Sequence, residues 1–145
     1  MLFRSGSVQI KKLDGFIAAR RRNYEALEKA LTGLRGVNLL QSTGGRFQSS
    51  YYCLSIVLDD KLADKRLQLV KRLNAEGVGT SVYYPQPVPR MTYYREKYGW
   101  ANGSFPGAAR IADCSIALPV GPHLNGEDIA YIADIVKRCV AEIAV

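Results

Sequence analysis

Three observations predict an α/β fold of the α+β kind, a two-layer sandwich with helices packed on a small, partly antiparallel sheet. Apolar residues recur at three- and four-residue steps at both ends of the chain, β-patterned runs lie between them, and the elements alternate along the sequence. The order is helix, strand, strand, helix, strand, loop, short helix, strand, helix, which limits the sheet to three to five strands. At 145 residues the chain suits one core of ordinary size, and 48% apolar with 23% charged residues is an ordinary globular composition.

From Val8 to Leu34 the positions Val8, Leu13, Phe16, Ile17, Tyr24, Leu27, Leu31 and Leu34 trace one helical face. This predicts one long amphipathic helix, with the basic run Arg20, Arg21 and Arg22 mostly on its opposite face and Gly33 or Gly36 ending it. The helix exceeds what such a layer needs, so residues 1–35 read as a basic linking helix, partly packed outside this chain, and 36–145 as the domain proper. Val37–Gln41 and Tyr51–Leu58 read as strands, with Gly44-Gly45 as a hairpin connection. In the second strand Tyr52, Leu54, Ile56 and Leu58 share one side, and Leu54 and Ile56 are expected in the core.

Asp59-Asp60 caps a second helix, whose stripe of Leu62, Leu69, Val70 and Leu73 runs to Gly77. Val78 to about Tyr83 reads as a strand. Pro85, Pro87 and Pro89 then impose an extended loop that continues through the aromatic stretch Met91–Trp100. Phe105–Ala112 suggests a short helix and Ser115–Leu118 a strand. Asn125 with Asp128 caps a last helix over Gly126–Val140, built on Ile129, Ile132, Val136 and Val140.

Twenty Lys and Arg against 13 Asp and Glu give a net charge of +7, and residues 1–35 hold 8 of the basic and 3 of the acidic residues. Such a surplus attracts anions, whether nucleic acid or a small phosphorylated ligand. A nucleic-acid-binding module using Arg20–Arg22 and the tyrosines is one reading. It is disfavoured because the aromatics are not interleaved with the basic run, so no nucleic-acid partner is expected. No apolar run approaches the ~20 residues of a membrane span and the start lacks a secretory segment, which predicts a cytoplasmic chain without a membrane partner. Cys53, Cys114 and Cys139 stand far apart and read as reduced packing residues. With one histidine, His123 in a loop, no metal site is predicted.

There is no Walker A pattern, GxSxG or paired-histidine helix. The informative run is Gly77-Val78-Gly79-Thr80-Ser81-Val82-Tyr83-Tyr84-Pro85-Gln86-Pro87, followed by Arg90-Met91-Thr92-Tyr93-Tyr94-Arg95-Glu96-Lys97-Tyr98-Gly99. Collinear with it are Gln9–Asp14 with Arg20–Arg22, Phe105-Pro106 with Ala108, and Leu118-Pro119. Together these segments resemble the C-terminal small domain of the DegT/DnrJ/StrS-type sugar aminotransferases, enzymes of the type I aminotransferase fold that use pyridoxal phosphate. The resemblance runs from about Ser5 to Ile143.

The resemblance implies transfer of an amino group, with glutamate as donor, to the keto carbon of a nucleotide-linked sugar, in a homodimer. It turns the loop after Thr80 toward the substrate and so marks Thr80, Tyr83, Tyr84 and Arg90 as substrate-binding candidates. Tyr83 and Arg90 stand where the family commonly has histidine, and Ala109 where it often has glutamate. A phenol donates a hydrogen bond but does not titrate near neutrality as imidazole does, and a guanidinium can clamp a phosphate through two bonds. In the family the Schiff-base lysine, the carboxylate on the pyridine nitrogen and the main phosphate ligands precede the long helix. The resemblance therefore implies no catalytic and no cofactor-binding residue in this chain, which reads as the C-terminal part of an aminotransferase without catalytic competence of its own. A non-catalytic subunit or remnant is the remaining alternative.

Overall fold

A computed structural model describes residues 3–40, 46–101 and 103–144, with side chains from residue 6 onward. The N-terminal helical face folds as two helices, α1 (Phe3–Ile10) and α2 (Leu13–Leu31), rather than the single helix expected. The break is a tight turn in which the Lys12 amide donates to the Gln9 carbonyl at 3.0 Å. Residues 6–16 are all exposed, so no packing enforces one axis there, and Gly15 further weakens the helix interior. Burial of α2 begins at Asn23 and continues through Tyr24, Leu27 and Leu31.

The sheet has three strands, β1 (Val37–Leu39), β2 (Leu54–Leu58) and β3 (Ser115–Leu118), all antiparallel in the order β1-β2-β3. Ile56 pairs with Leu39 on one side and Ile116 on the other. Leu54, Ile56, Leu58 and Ile116 are 0% exposed, as the alternation of the second strand requires. That strand starts at Leu54 rather than Tyr51, because Tyr51 has φ of 52°, a left-handed conformation no strand admits. Gln41 and the expected Gly44-Gly45 connection lie outside the described residues.

Asp59 caps the next turn, its Oδ1 accepting from the Lys61 and Leu62 amides at 3.1 and 3.2 Å. After a 3-10 turn at Ala63–Lys65, α3 (Arg66–Ala75) buries Leu69 and Leu73. The strand expected over 78–83 reduces to one bridge, Ser81 with Ala117 on the free edge of β3. The residues before it are held instead by the end of α3, where the Val78 amide donates to Leu73 O at 2.9 Å.

A 3-10 turn at Val88–Arg90 leads into α4 (Thr92–Tyr98), a helix where an extended loop was expected. It is carried by four-residue spacing: Tyr94 stacks on Tyr98 with centroids 6.4 Å apart, and Lys97 reaches Tyr93. Gly99, at φ 65°, ends it. Next, α5 (Pro106–Cys114) leads into β3, and α6 (Gly126–Ile143) closes the chain.

Helix α6 packs against α2 and α3, and its first turn carries the expected capping box. Asn125 Oδ1 accepts from the Glu127 and Asp128 amides at 2.8 and 3.0 Å, and Asp128 accepts from the Asn125 amide. The buried Asn23 ties α2 to the loop before α6, donating through Nδ2 to Gly121 O at 2.8 Å and Leu124 O at 3.1 Å. Cys114 and Cys139 are buried, Cys53 half-buried, and none is bridged. Among the described residues no helix is long and apolar enough to cross a membrane.

Candidate functional site

The loop that leaves α3 is pinned at both ends and presents its tyrosines between the pins. At the first end the Thr80 amide and hydroxyl both donate to Asn74 Oδ1 at 3.2 Å, and Ser81 exchanges two backbone bonds with Ala117. Thr80 therefore spends its donor on α3. At the second end Arg90 clamps Asp113 of α5, both terminal nitrogens 2.7 Å from the two carboxylate oxygens. Its fork holds a protein carboxylate, where the sequence suggested a phosphate. Pro87 is buried between the pins.

Tyr83 is 46% and Tyr84 69% exposed. The Tyr83 ring lies 5.6 Å from that of Tyr52, and the Arg20 guanidinium sits 5.2 Å over the Tyr52 ring. The neighbouring Tyr52 hydroxyl, which favours the protonated phenol, raises the Tyr83 pKa above the ordinary phenol value of 10.0. Partial burial adds to the rise, and Ser81 opposes it. The Arg20 Nε is buried and has no hydrogen-bond partner among the described residues. A parallel contact lies beside it: Arg21 stands 5.9 Å over Tyr51, which meets Tyr24 edge-on at 5.4 Å. In space, though not in sequence, the basic run and the tyrosines do interleave.

Of the four candidates, the structure joins Tyr83 to Tyr52 and Arg20, Thr80 to Asn74 and Arg90 to Asp113, while Tyr84 faces solvent. Tyr52, Arg20 and Asp113 are the residues that sequence reasoning passed over. For Arg20 a signal existed: it lies four residues before Tyr24 and seven before Leu27, on the buried stripe of α2 rather than opposite it. For Tyr52 and Asp113 there was none, since their partners are distant in the chain. His123 is exposed and packs on Gly121, outside this group.

A second aromatic row runs along α4 and beyond. Tyr98 stacks on Trp100 at 4.9 Å, Trp100 meets Phe105 at 5.0 Å, and Lys97 stands 5.4 Å over both Tyr93 and Tyr98.

Pyridoxal phosphate needs an amine held in a closed site beside an anchored phosphate. The eight lysines here are all exposed or half-exposed: Lys11, Lys12, Lys29, Lys61, Lys65, Lys71, Lys97 and Lys137. The residues present do not by themselves make a site for that cofactor.

A sequence model of the DegT/DnrJ/EryC1/StrS aminotransferase family matches residues 5–137. The dTDP-4-dehydro-2,3,6-trideoxy-D-glucose 4-aminotransferase of Saccharopolyspora spinosa is 28% identical over 135 residues, which are 93% of this chain and 33% of that protein. The crystal structure of the aminotransferase TlmJ from Streptoalloteichus hindustanus superimposes with a TM-score of 0.82 at 28% identity, covering 97% of this chain and 36% of that one. Spr1654 of Streptococcus pneumoniae in its pyridoxal phosphate form shares the fold at 21% identity, with a TM-score of 0.83 over 97% of this chain and 35% of that one. The chain thus spans about a third of the length of these relatives.

Proposed function

The chain belongs to the DegT/DnrJ/EryC1/StrS aminotransferase family, which depends on pyridoxal phosphate, and from that premise we propose that it serves as the small-domain portion of an aminotransferase acting on a nucleotide-linked keto sugar. Its relative from Saccharopolyspora spinosa is named for a dTDP-linked dehydro sugar, which supports that substrate class. The bound cofactor supplies the electron sink for amino transfer; glutamate is the proposed donor and a homodimer the proposed working form.

This chain's part is to wall the sugar-nucleotide site with residues 80–90. Tyr84 offers a solvated hydroxyl. Tyr83 presents a phenol aligned by Tyr52, which Arg20 holds by stacking on its ring. Thr80 and Arg90 act on substrate through the loop they pin at its two ends, and Arg20 adds positive charge near an anionic diphosphate. The observation that carries the reading is the Arg20–Tyr52–Tyr83 group, which orders a loop tyrosine beyond what a structural turn requires.

The experiment joins this chain behind the remaining two-thirds of the Saccharopolyspora spinosa relative and assays amino transfer. Activity is expected, and Tyr84→Phe and Tyr83→Phe are each expected to raise the sugar-nucleotide KM by about three- to tenfold with kcat little changed, the loss of one hydrogen bond to bound substrate. Arg90→Ala and Asp113→Ala are expected to raise KM alike, since each frees the same end of the loop. A chimera that folds and is active but ignores all four substitutions contradicts the assignment.

A further inference from the structure

Along α2 from Arg20 to Leu31 the axis advances about 16 Å, and past its end the fold leaves a recess, of about 810 Å³, floored by Leu34, Leu62, Val140 and Ile143. The volume falls within the ~300–1,000 Å³ of small-molecule sites. Its apolar lining is entirely aliphatic, so it offers dispersion contact to a flexible alkyl body and no ring for a base or sugar to stack on. Gly36, at φ 87°, makes the floor possible. A Cβ there would stand 2.5 Å from Leu62 Cδ1 and push that side chain out of place.

The rim carries Arg35, Lys61 and Lys65. The ion pairs of the described residues all use other cations, namely Arg21, Arg72, Arg90, Arg110 and Arg138. Among the described residues the one rim carboxylate, Asp59, is turned to the Lys61 and Leu62 amides. Three cations without an ion-pair partner among the described residues, over an aliphatic floor, are complementary to an amphiphile whose head carries more than one negative charge. A phosphate monoester carries about −1.5 to −2 near neutrality, where a carboxylate carries one.

We propose that this recess is a binding site, separate from the substrate wall, for a small alkyl phosphate: its alkyl chain lies across Leu34, Ala141 and Ala144, above the core residues Leu62, Val140 and Ile143, and the phosphate sits among Arg35, Lys61 and Lys65. The floor is concave and made of core residues, which fits a free ester rather than a headgroup fixed in a bilayer.

The test is calorimetric titration of the full chain with hexyl phosphate, inorganic phosphate and hexanol, with vesicles of phosphatidylcholine and phosphatidate as a separate arm. One molecule of hexyl phosphate per chain is expected to bind, at least tenfold more tightly than either half-molecule. The double variant Lys61→Ala, Lys65→Ala is expected to weaken it about tenfold or more. Ala141→Trp, an exposed position on the lining, is expected to abolish binding with the circular dichroism unchanged. Lys137→Ala, which removes one charge elsewhere on α6, is expected to leave it within twofold. The proposal is overturned by equal affinity for inorganic phosphate, by no saturable binding, by indifference to both recess variants while they remain folded, by equal weakening in Lys137→Ala, or by binding to phosphatidate vesicles alone.

Discussion

Tyr83 keeps its proton to higher pH than a free phenol, chiefly because of the neighbouring Tyr52 hydroxyl, and this sets two expectations. In Tyr52→Phe the Tyr83 ionisation should fall back toward 10.0, read by carbon-13 NMR of labelled tyrosine across an alkaline titration. An unchanged titration would show that Tyr52 does not hold it. The linkage has a definite sign. A folded pKa above the unfolded one favours folding while the phenol is protonated, and that contribution is lost as pH rises through the folded value. The advantage of the wild type over Tyr83→Phe in denaturant midpoint should therefore be full below pH 10.0 and shrink as pH rises above it. Elsewhere, Leu54→Ala should destabilise by about 2–5 kcal/mol, since Leu54 is 0% exposed beneath the helices. Asn125→Ala should cost about 1 kcal/mol through the lost cap. Leu54 and Asn125 were legible in the sequence because alternation and capping are local rules. Tyr52 was not, because its partners are 31 and 32 residues away and meet it only after the sheet has formed.

Elements whose stability comes from their own periodicity were legible; those decided by tertiary contact were not. The buried stripe of α6 and the alternation of β2 could be written down in advance. The split between α1 and α2 could not, because the stripe positions Val8, Leu13 and Phe16 are 49%, 48% and 40% exposed, so pattern and packing part company. Amide exchange should register this, with α1 exchanging far faster than residues 23–31 of α2, and equal protection would mean that α1 is held by contacts not seen here. The strand expected over 78–83 failed because Asn74 and Leu73 take the amides of Thr80 and Val78. Helix α4 was hidden behind three prolines, although its Tyr94–Tyr98 and Tyr93–Lys97 spacings were in plain view. Breaking the Arg90–Asp113 clamp with Asp113→Ala should raise proteolytic cleavage between residues 88 and 100 several-fold, and no increase would show that the loop is held elsewhere.

At the scale of the whole molecule, a three-stranded antiparallel sheet under α2, α3 and α6 builds one core, and the tyrosine-bearing loop leaves it beside β3. The net charge of +7 gathers toward the N-terminal helices, next to that loop through Arg20 and Arg21 and around the aliphatic recess through Arg35. The molecule presents partly exposed phenols beside guanidinium groups but no enclosed lysine, which is the division of labour proposed for a small domain that completes a site held largely by other residues. That division is tested most directly by titrating pyridoxal phosphate into the 145-residue chain and into the chimera, reducing both with borohydride and mapping modified lysines by mass spectrometry. The account predicts one cofactor per chain on a single lysine of the added portion in the chimera, and only scattered substoichiometric modification of the isolated chain. One equivalent fixed on one lysine of the isolated chain would contradict it.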